Sequence, residues 1–415
     1  MDDSAINWRE ALFNRRMLVC VFTGLASGMP LYLLLQLVPL WLRDQGVSLT
    51  EIGLFALLGM PYTWKFIWAP FMDRWTPPFL GRRRGWMLLS QVALLLGIGA
   101  MGMFEPQQSL PVIAGLCLAV AFFSASQDVV IDAYRREILP DAELGLGNSI
   151  HITAYRLAGL VPGSLAFILA DYLPWSSVFW ITGAFMLVGV GLSLLAPEPD
   201  TEKPAYHGLA DTVIRPFREY LTRRGWKGVL LVLSFMVLYK LGDNMATALS
   251  SPFYYDLGFT KSQIGVVAKN AALWPAILGG LLGGVVMLRL GINRALWLFG
   301  VVQVVSILGF AVLAQAGAVL WLLGVVIAFE YTGVGLGTAA FTAFIARETS
   351  RTFAATQFAL FTALAAVPRT LANASTGIIV EQVGWYDFFL LCAVLALPGM
   401  LLLLWVAPWH GQAQE

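Results

Sequence analysis

The chain has 415 residues, of which 58% are hydrophobic and 12% charged, and its formal net charge is +1. Its mean hydropathy is +0.74. A soluble domain of this length could not keep so much apolar surface out of water, so the composition excludes a water-soluble protein and predicts an integral membrane protein.

Twelve apolar segments are long enough to cross a membrane as helices, which takes roughly 20 residues each. We predict spans at residues 17–42, 50–72, 85–104, 109–137, 145–170, 176–196, 226–256, 261–290, 294–315, 318–346, 351–381 and 385–407. No small-residue cleavage site follows a short apolar stretch near the start, so we expect the first span to be retained. The predicted fold class is an all-α integral membrane protein.

The longest polar stretch separates six spans from six spans. The predicted organisation is a cytoplasmic N-terminus at 1–16, a six-helix half at 17–196, a cytoplasmic linker at 197–225, a second six-helix half at 226–407 and a cytoplasmic C-terminus at 408–415. Within the linker, Val213, Ile214, Phe217, Tyr220 and Leu221 recur at helical spacing among arginines. That pattern indicates either a helix on the anionic membrane surface or a solvated linker helix.

Most of the 26 lysines and arginines fall in loops on one side of the predicted spans. The positive-inside rule assigns that side, and both termini, to the cytoplasm. The two halves also share a short pattern, since Thr50-Glu51-Ile52-Gly53 opens span two and Ser262-Gln263-Ile264-Gly265 opens span eight. An internal repeat of this kind is one sequence signature of a secondary transporter.

Charged residues are unevenly distributed among the spans. Spans three and six contain none, and spans nine and twelve carry only Arg294 and Asp387, each close to an end. Deep charges in the other spans are Lys65, Asp128, Arg156, Lys240, Asp243, Lys269, Glu330 and Arg369. A charge at mid-bilayer costs roughly 2.5 to 3.5 kcal/mol on insertion scales, so we expect these side chains to face an enclosed, wet interior.

Position along the helices predicts ion pairs among these residues. Lys65 and Asp128 each lie about 12 Å inside the basic ends of their helices, so they can pair across spans two and four. Lys240 and Asp243 are three residues apart on one helical face and can pair locally. For each pair a purely structural role is the alternative to a role in transport.

The loop after span two reads DRWTPPFLGRRR, from Asp73 to Arg84. It resembles the D-R-x-G-R-[RK] loop of the major facilitator superfamily, with an insertion of Thr-Pro-Pro-Phe-Leu. In that family an arginine of the loop pairs with an acid at the end of the fourth helix, and Asp132 is the candidate acid here. The resemblance implies a conformational lock formed by Asp73, Arg74, Arg82, Arg83, Asp132 and Arg136.

Longer strings narrow the resemblance. The segments APFMDRWTPPFLGRRRGW, FFSASQDVVIDAYRREILP, VLYKLGDNMA, IGVVAKNAAL, GVGLGTAAFTAFIA and FAATQFALFTALAAVPR resemble the AmpG-type muropeptide permeases. The resemblance implies proton-driven import of N-acetylglucosaminyl-1,6-anhydro-N-acetylmuramyl peptides across the bacterial inner membrane for cell-wall recycling. By the layout of that family, spans one, four, seven and ten line the cavity.

A disaccharide-peptide carries carboxylates, hydroxyls and amides, so its site should combine cations, planar donors and aromatic faces. The candidate substrate-binding residues are Gln36, Trp64, Lys65, Gln127, Arg156, Lys240, Asn244, Lys269, Asn270, Trp274, Gln357 and Arg369. Asp128, Asp243 and Glu330 are the candidate proton-coupling acids, with Asp128 leading. Arg156 and Glu330, near the midplane in different halves, are also candidate partners for each other.

Other functions have weaker support. The sequence lacks the G-K-[ST] of an ATP-driven pump, HExxH and the nucleophile elbow, so we expect no enzyme activity. The alternatives are a facilitator for another bulky anion, such as an acetylated coenzyme or a siderophore, and a sensor that binds muropeptide without moving it. We expect no cofactor, no metal and no nucleic-acid partner. The expected partners are the disaccharide-peptide, protons and membrane lipids, and the chain is expected to work as a monomer.

Overall fold

The computed structural model describes residues 14–140, 143–199, 215–348 and 354–410. In this part of the chain every regular element is a helix. The first half contains α1, Arg15–Asp44; α2, in the pieces Leu49–Leu54, Met60–Trp64 and Ala69–Arg74; α3, Arg82–Met101; α4, Pro106–Ile138; α5, in the pieces Leu144–Ala158 and Ala166–Leu169; and α6, Trp175–Leu195.

The second half begins with the helix Arg215–Leu238, which is broken at Gly225, where φ is +67°. We call residues 215–224 the linker helix, and α7 comprises residues 226–238 with Leu241–Ala248 and Ser250–Asp256. The helix Lys261–Ala316 is broken at Gly291 into α8, 261–290, and α9, 292–316. Next come α10, Leu320–Glu348, and Ala354–Val406, which Gly384 divides into α11, 354–383, and α12, 385–406.

Nine helices among the described residues are long and apolar enough to cross a membrane. Two of the nine are divided by the breaks at Gly291 and Gly384, where φ is +73° and +80°. The broken α2 is not among the nine. This arrangement is consistent with the twelve spans that the sequence predicts.

Several helices contain turns of irregular pitch. π-Helical turns lie at Leu33–Leu37 in α1, Val161–Leu165 in α5 and Ile264–Ala268 in α8. The pieces of α2 are joined by the 3₁₀ turns Phe55–Gly59 and Lys65–Ile67. Such turns free backbone groups and redirect side chains, and they are frequent at functional sites.

The chain groups into two compact units, which are residues 1–46 with 58–205, and residues 47–57 with 206–415. The start of α2 therefore packs within the second unit, where the backbone N–H of Thr50 donates to Glu381 of α11 over 3.1 Å. Gly53 and Gly377 allow these two helices to approach closely. Small residues are the usual means of close helix packing in membranes.

The repeat suggested by the sequence is visible at the starts of α2 and α8. Ser48 and Glu51 form a capping box before α2, and Thr260 and Gln263 form one before α8. In each box the first side chain accepts from a free backbone N–H of the first turn, and the second returns the bond. The matching sequences therefore build matching local structures.

Candidate functional site: buried ion pairs and charge clusters

The first unit holds an ion pair within its spans. Lys65 Nζ lies 3.8 Å from Oδ2 of Asp128, and the side chains are 32% and 11% exposed. Ser27 of α1 donates its hydroxyl hydrogen to Oδ1 of the same carboxylate. The pair predicted from the matched depths of Lys65 and Asp128 is therefore formed, and it connects α1, α2 and α4.

A proline explains why Gln127 lies where it does. Pro30 of α1 has no N–H, so the carbonyl of Ala26, four residues earlier, lacks its helical donor. The buried amide of Gln127 donates to that carbonyl over 2.8 Å. Gln127, predicted to bind substrate, is thus engaged in the α1–α4 contact, while Gln36 lies in the π-helical turn that follows Pro30.

The helices α1 and α5 cross closely. A side chain at Gly24 would overlap the carbonyl oxygen of His151, and one at Gly28 would overlap that of Tyr155. His151 shares a 3.1 Å hydrogen bond with Thr23 at this contact. This crossing brings two tyrosines of the first unit together.

Tyr32 of α1 and Tyr155 of α5 have ring centroids 5.9 Å apart, at an interplanar angle of 58°. Arg156, the next residue along α5, is exposed and lies within electrostatic range of Tyr32. Sequence reasoning missed both tyrosines. The signal available for them was the spacing of Gly24, Gly28 and Tyr32, which repeats every four residues on one helical face.

The second unit holds a shorter ion pair. Lys240 Nζ lies 2.8 Å from Oδ2 of Asp243, with side chains 13% and 6% exposed. Lys240 occupies a non-helical position between two pieces of α7, with φ −104° and ψ 1°, and Asn244 donates its backbone N–H to the Lys240 carbonyl. The local pair predicted from the three-residue spacing is therefore present.

Glu330 of α10 is fully buried and lies within electrostatic range of Asp243 and Lys240. Neither of its carboxylate oxygens meets a hydrogen-bond donor among the described residues. Neighbouring Ser306 of α9 donates to the carbonyl of Gln303 instead. The second unit thus places two acids and one lysine together.

The remaining candidates belong to several different helices. Lys269 is buried at the start of the helix that follows the π-helical turn of α8. Asn270 donates to the Val266 carbonyl and accepts from the Trp274 indole N–H over 3.2 Å. The two candidate tryptophans are exposed, Trp274 by 51% and Trp64 by 41%. Arg369 is exposed on α11. The buried amide of Gln357 donates to Glu219 of the linker helix, away from the other candidates.

The basic loop of the first unit does bind an acid of α4, but not the predicted one. Arg83 is buried and donates to Glu137 through Nε and through a terminal nitrogen 2.6 Å from Oε1, and Arg82 reaches the same carboxylate at 3.3 Å. Asp132 is exposed and pairs with Arg135 on its own helix. Asp132 lies more than a helical turn before Glu137, and the acid that Arg82 and Arg83 bind is Glu137 rather than the candidate Asp132.

Arg136, another predicted member of this lock, is exposed. The side chains of Asp73 and Arg74 lie outside the described part of the structure. Glu198, which sequence reasoning missed, accepts from the backbone N–H groups of Arg83 at 2.8 Å and Arg84 at 3.0 Å. A carboxylate at this position satisfies free donors of the α3 N-terminus and interacts favourably with the helix dipole.

A corresponding cluster in the second unit uses the linker helix. Glu348, at the end of α10, is 2% exposed and accepts from Arg224 at 2.7 Å and from the Tyr220 hydroxyl at 3.2 Å. Tyr220 is itself fully buried against Phe361 of α11. The linker helix therefore packs into this unit through Tyr220, whereas Val213 and Ile214 lie outside the described residues.

Comparisons with known proteins agree with this architecture. Residues 20–373 match the model of the Major Facilitator Superfamily. The fold is similar to that of the nucleoside transporter NupG, with a TM-score of 0.73 and 13% identity over 94% of this chain and 100% of that one. It is also similar to a D-xylose-proton symporter, with a TM-score of 0.71 and 12% identity over 96% and 98% of the two chains. The chain belongs to the Major Facilitator Superfamily of membrane transporters.

Sequence relatives narrow the family. An uncharacterised protein of Haemophilus influenzae is 52% identical over 410 residues, which cover 96% of each chain. The anhydromuropeptide permease of Escherichia coli K12 is 41% identical over 392 residues, covering 94% of this chain and 79% of that one. A putative AmpG transporter of Rickettsia conorii is 28% identical over 92% of this chain and 94% of that one. Within the superfamily, the chain belongs to the AmpG-type anhydromuropeptide permeases.

Proposed function

We propose that the protein is a proton-coupled importer of anhydromuropeptides, working by alternating access. Its substrates are N-acetylglucosaminyl-1,6-anhydro-N-acetylmuramyl peptides, which it carries from the periplasm to the cytoplasm. The proposal also assigns it to the bacterial inner membrane with both termini cytoplasmic, as the distribution of basic loop residues favours. The observation that carries the proposal is the 41% identity to the Escherichia coli anhydromuropeptide permease over 94% of this chain.

Asp128 is the proposed proton-coupling site. Its carboxylate is nearly buried and forms an ion pair with the Lys65 ammonium at 3.8 Å. Protonation of Asp128 removes the negative charge that holds Lys65, so the lysine becomes available to a carboxylate of the substrate. Binding of a proton and binding of an anionic substrate are then linked through one ion pair.

Asp243 and Glu330 are the further proton-coupling candidates, and they share Lys240 as the nearby cation. Arg156 and Arg369 are the proposed receptors for substrate carboxylates. Both are exposed in the structure, and the planar guanidinium group can bind a carboxylate through two parallel hydrogen bonds.

The charge clusters at the basic ends of the helices are proposed to stabilise one conformation of the transporter. In the first unit this role falls to Arg82, Arg83 and Glu137. In the second it falls to Arg224 and Glu348.

The test is uptake of labelled anhydromuropeptide by proteoliposomes with an acidic exterior, compared with protein-free liposomes. We expect accumulation that a protonophore abolishes. Uptake that survives the protonophore and requires sodium would show that the coupling ion is sodium and not the proton. Binding without accumulation would make the protein a sensor. Uptake of another labelled bulky anion that anhydromuropeptide does not inhibit would change the substrate class.

A further inference from the structure

Tyr62 and Tyr155 lie within electrostatic range of Asp128, and Tyr32 packs beside Tyr155. Tyr32 and Tyr155 have ring centroids 5.9 Å apart, and both side chains are partly exposed. Tyr155 lies within electrostatic range of Asp128 and of Tyr62 as well as of Tyr32. Tyr32 and Tyr155 therefore form an aromatic pair, and Tyr62 lies three residues before Lys65 of the ion pair.

The backbone fixes the positions of two of these rings. At Gly28, one turn before Tyr32, the absence of a side chain lets α1 contact the backbone of Tyr155 directly. Tyr32 also lies directly before the π-helical turn Leu33–Leu37 of α1. Rings held by a close helix crossing lose little further freedom when a ligand binds, which favours affinity.

Tyr62 adds a polar group without a partner. Its hydroxyl is buried, and its polar neighbours are the Ser124 hydroxyl and Asp128, but no hydrogen bond of good geometry reaches it among the described residues. A buried hydroxyl that is left unpaired costs roughly 1–3 kcal/mol, so a ligand that supplies the missing bond gains affinity. Tyr62 belongs to the piece Met60–Trp64 of the broken α2, immediately before Lys65 and its 3₁₀ turn.

We propose that Tyr32, Tyr62 and Tyr155 form a subsite for the amino-sugar rings of the substrate, a proposal that rests on the proposed function. The faces of sugar rings carry C–H groups that pack on aromatic rings, and tyrosine hydroxyls bond to ring hydroxyls and acetamido groups. Arg156 follows Tyr155 directly, within electrostatic range of Tyr32, and receives the first carboxylate of the peptide. The sugar then lies in the first unit, next to the proton-coupling pair.

Binding of the peptide-free disaccharide, N-acetylglucosaminyl-1,6-anhydro-N-acetylmuramic acid, to purified protein tests this subsite by calorimetry. Tyr32→Leu and Tyr155→Leu remove an aromatic face, and we expect each to weaken binding by roughly two- to tenfold. Tyr32→Phe and Tyr155→Phe keep the face and should bind more tightly than the leucine variants. Tyr172→Leu is the matched control, because Tyr172 is 79% exposed in the loop before α6.

Folding and function are controlled separately. If a leucine variant fails to fold, Tyr62→Phe, which removes only the hydroxyl, should still weaken disaccharide binding several-fold. Unchanged binding in all the folded tyrosine variants, or no disaccharide binding by the wild-type protein, would overturn the subsite. Failure of the proposed function has a different signature, which is disaccharide binding without accumulation of anhydromuropeptide in proteoliposomes.

Discussion

Lys65 and Asp128 approach each other at 3.8 Å, a distance at which charges attract but a direct hydrogen bond is not formed. The Ser27 hydroxyl instead donates to the other carboxylate oxygen. A pair of this kind can be opened by a single proton on Asp128 without breaking a short ionic hydrogen bond. This geometry favours a working ion pair over a purely structural one.

Asp128→Asn should block accumulation driven by a proton gradient but leave counterflow exchange of substrate measurable. The amide keeps the shape of the side chain but cannot bind the coupling proton, and exchange needs no net proton movement. Both activities are measured in the same proteoliposomes. The control is Asp171→Asn, which changes an exposed acid in the loop before α6 and should behave as wild type. Concentrative uptake by Asp128→Asn would move the coupling role to Asp243 or Glu330.

Arg156→Lys and Arg369→Lys should raise the apparent KM for anhydromuropeptide about tenfold, because an ammonium cannot reproduce the two parallel hydrogen bonds of a guanidinium. Folded yield should change much less, since both side chains are exposed. Initial rates of uptake over a range of substrate concentrations provide the measurement. Arg294→Lys, at the start of α9, serves as the matched control, and unchanged KM in both variants would assign these arginines to the scaffold.

Glu137→Gln should lower the free energy of unfolding by about 1–3 kcal/mol, because it removes the negative charge that binds the buried Arg83. Asp132→Asn, on the same helix, removes an exposed pair and should cost less than about 1 kcal/mol. Denaturant unfolding in detergent micelles compares the two. Equal losses would show that the Arg83–Glu137 bond contributes no more than a surface pair.

Gly28→Ala should destabilise the protein by about 1–3 kcal/mol, because the added methyl group would overlap the Tyr155 carbonyl and push α1 away from α5. Gly115→Ala is the control, since a methyl group on that residue of α4 would meet no atom within 4 Å. The same unfolding experiment reports both. A stable Gly28→Ala variant would mean that the crossing can widen at little cost.

The sequence predicted ion pairs successfully where the position of each partner along its helix could be read from the sequence. Lys240 and Asp243 are fixed by their spacing on one helix, and Lys65 and Asp128 by their equal depth. The acid that binds Arg83 could not be chosen in this way, because the choice depends on how the lengthened loop before α3 meets the end of α4. Neither could the role of Gln357, whose partner Glu219 belongs to the linker helix.

The tyrosine group was missed for a similar reason. Nothing in the positions of Tyr32 and Tyr155 along their helices says that α1 and α5 cross there, whereas Gly24 and Gly28 do indicate a close helix contact. Helix-breaking residues also indicated the partners of polar side chains better than the hydrophobic pattern did. Because Pro30 leaves a backbone carbonyl of α1 without a donor, the Gln127 amide binds that carbonyl. The presence of a polar residue in a span does not by itself reveal such a partner.

The burial of Tyr220 determines where this transporter can be divided into two polypeptides. A second polypeptide that begins at residue 215 retains Tyr220 and Arg224 against Glu348, whereas one that begins at residue 226 leaves that buried carboxylate without either contact. Co-expression of residues 1–214 with the polypeptide that begins at residue 215 should therefore succeed, whereas the same first fragment should fail with the polypeptide that begins at residue 226. The linker helix therefore belongs structurally to the six-helix half that follows it.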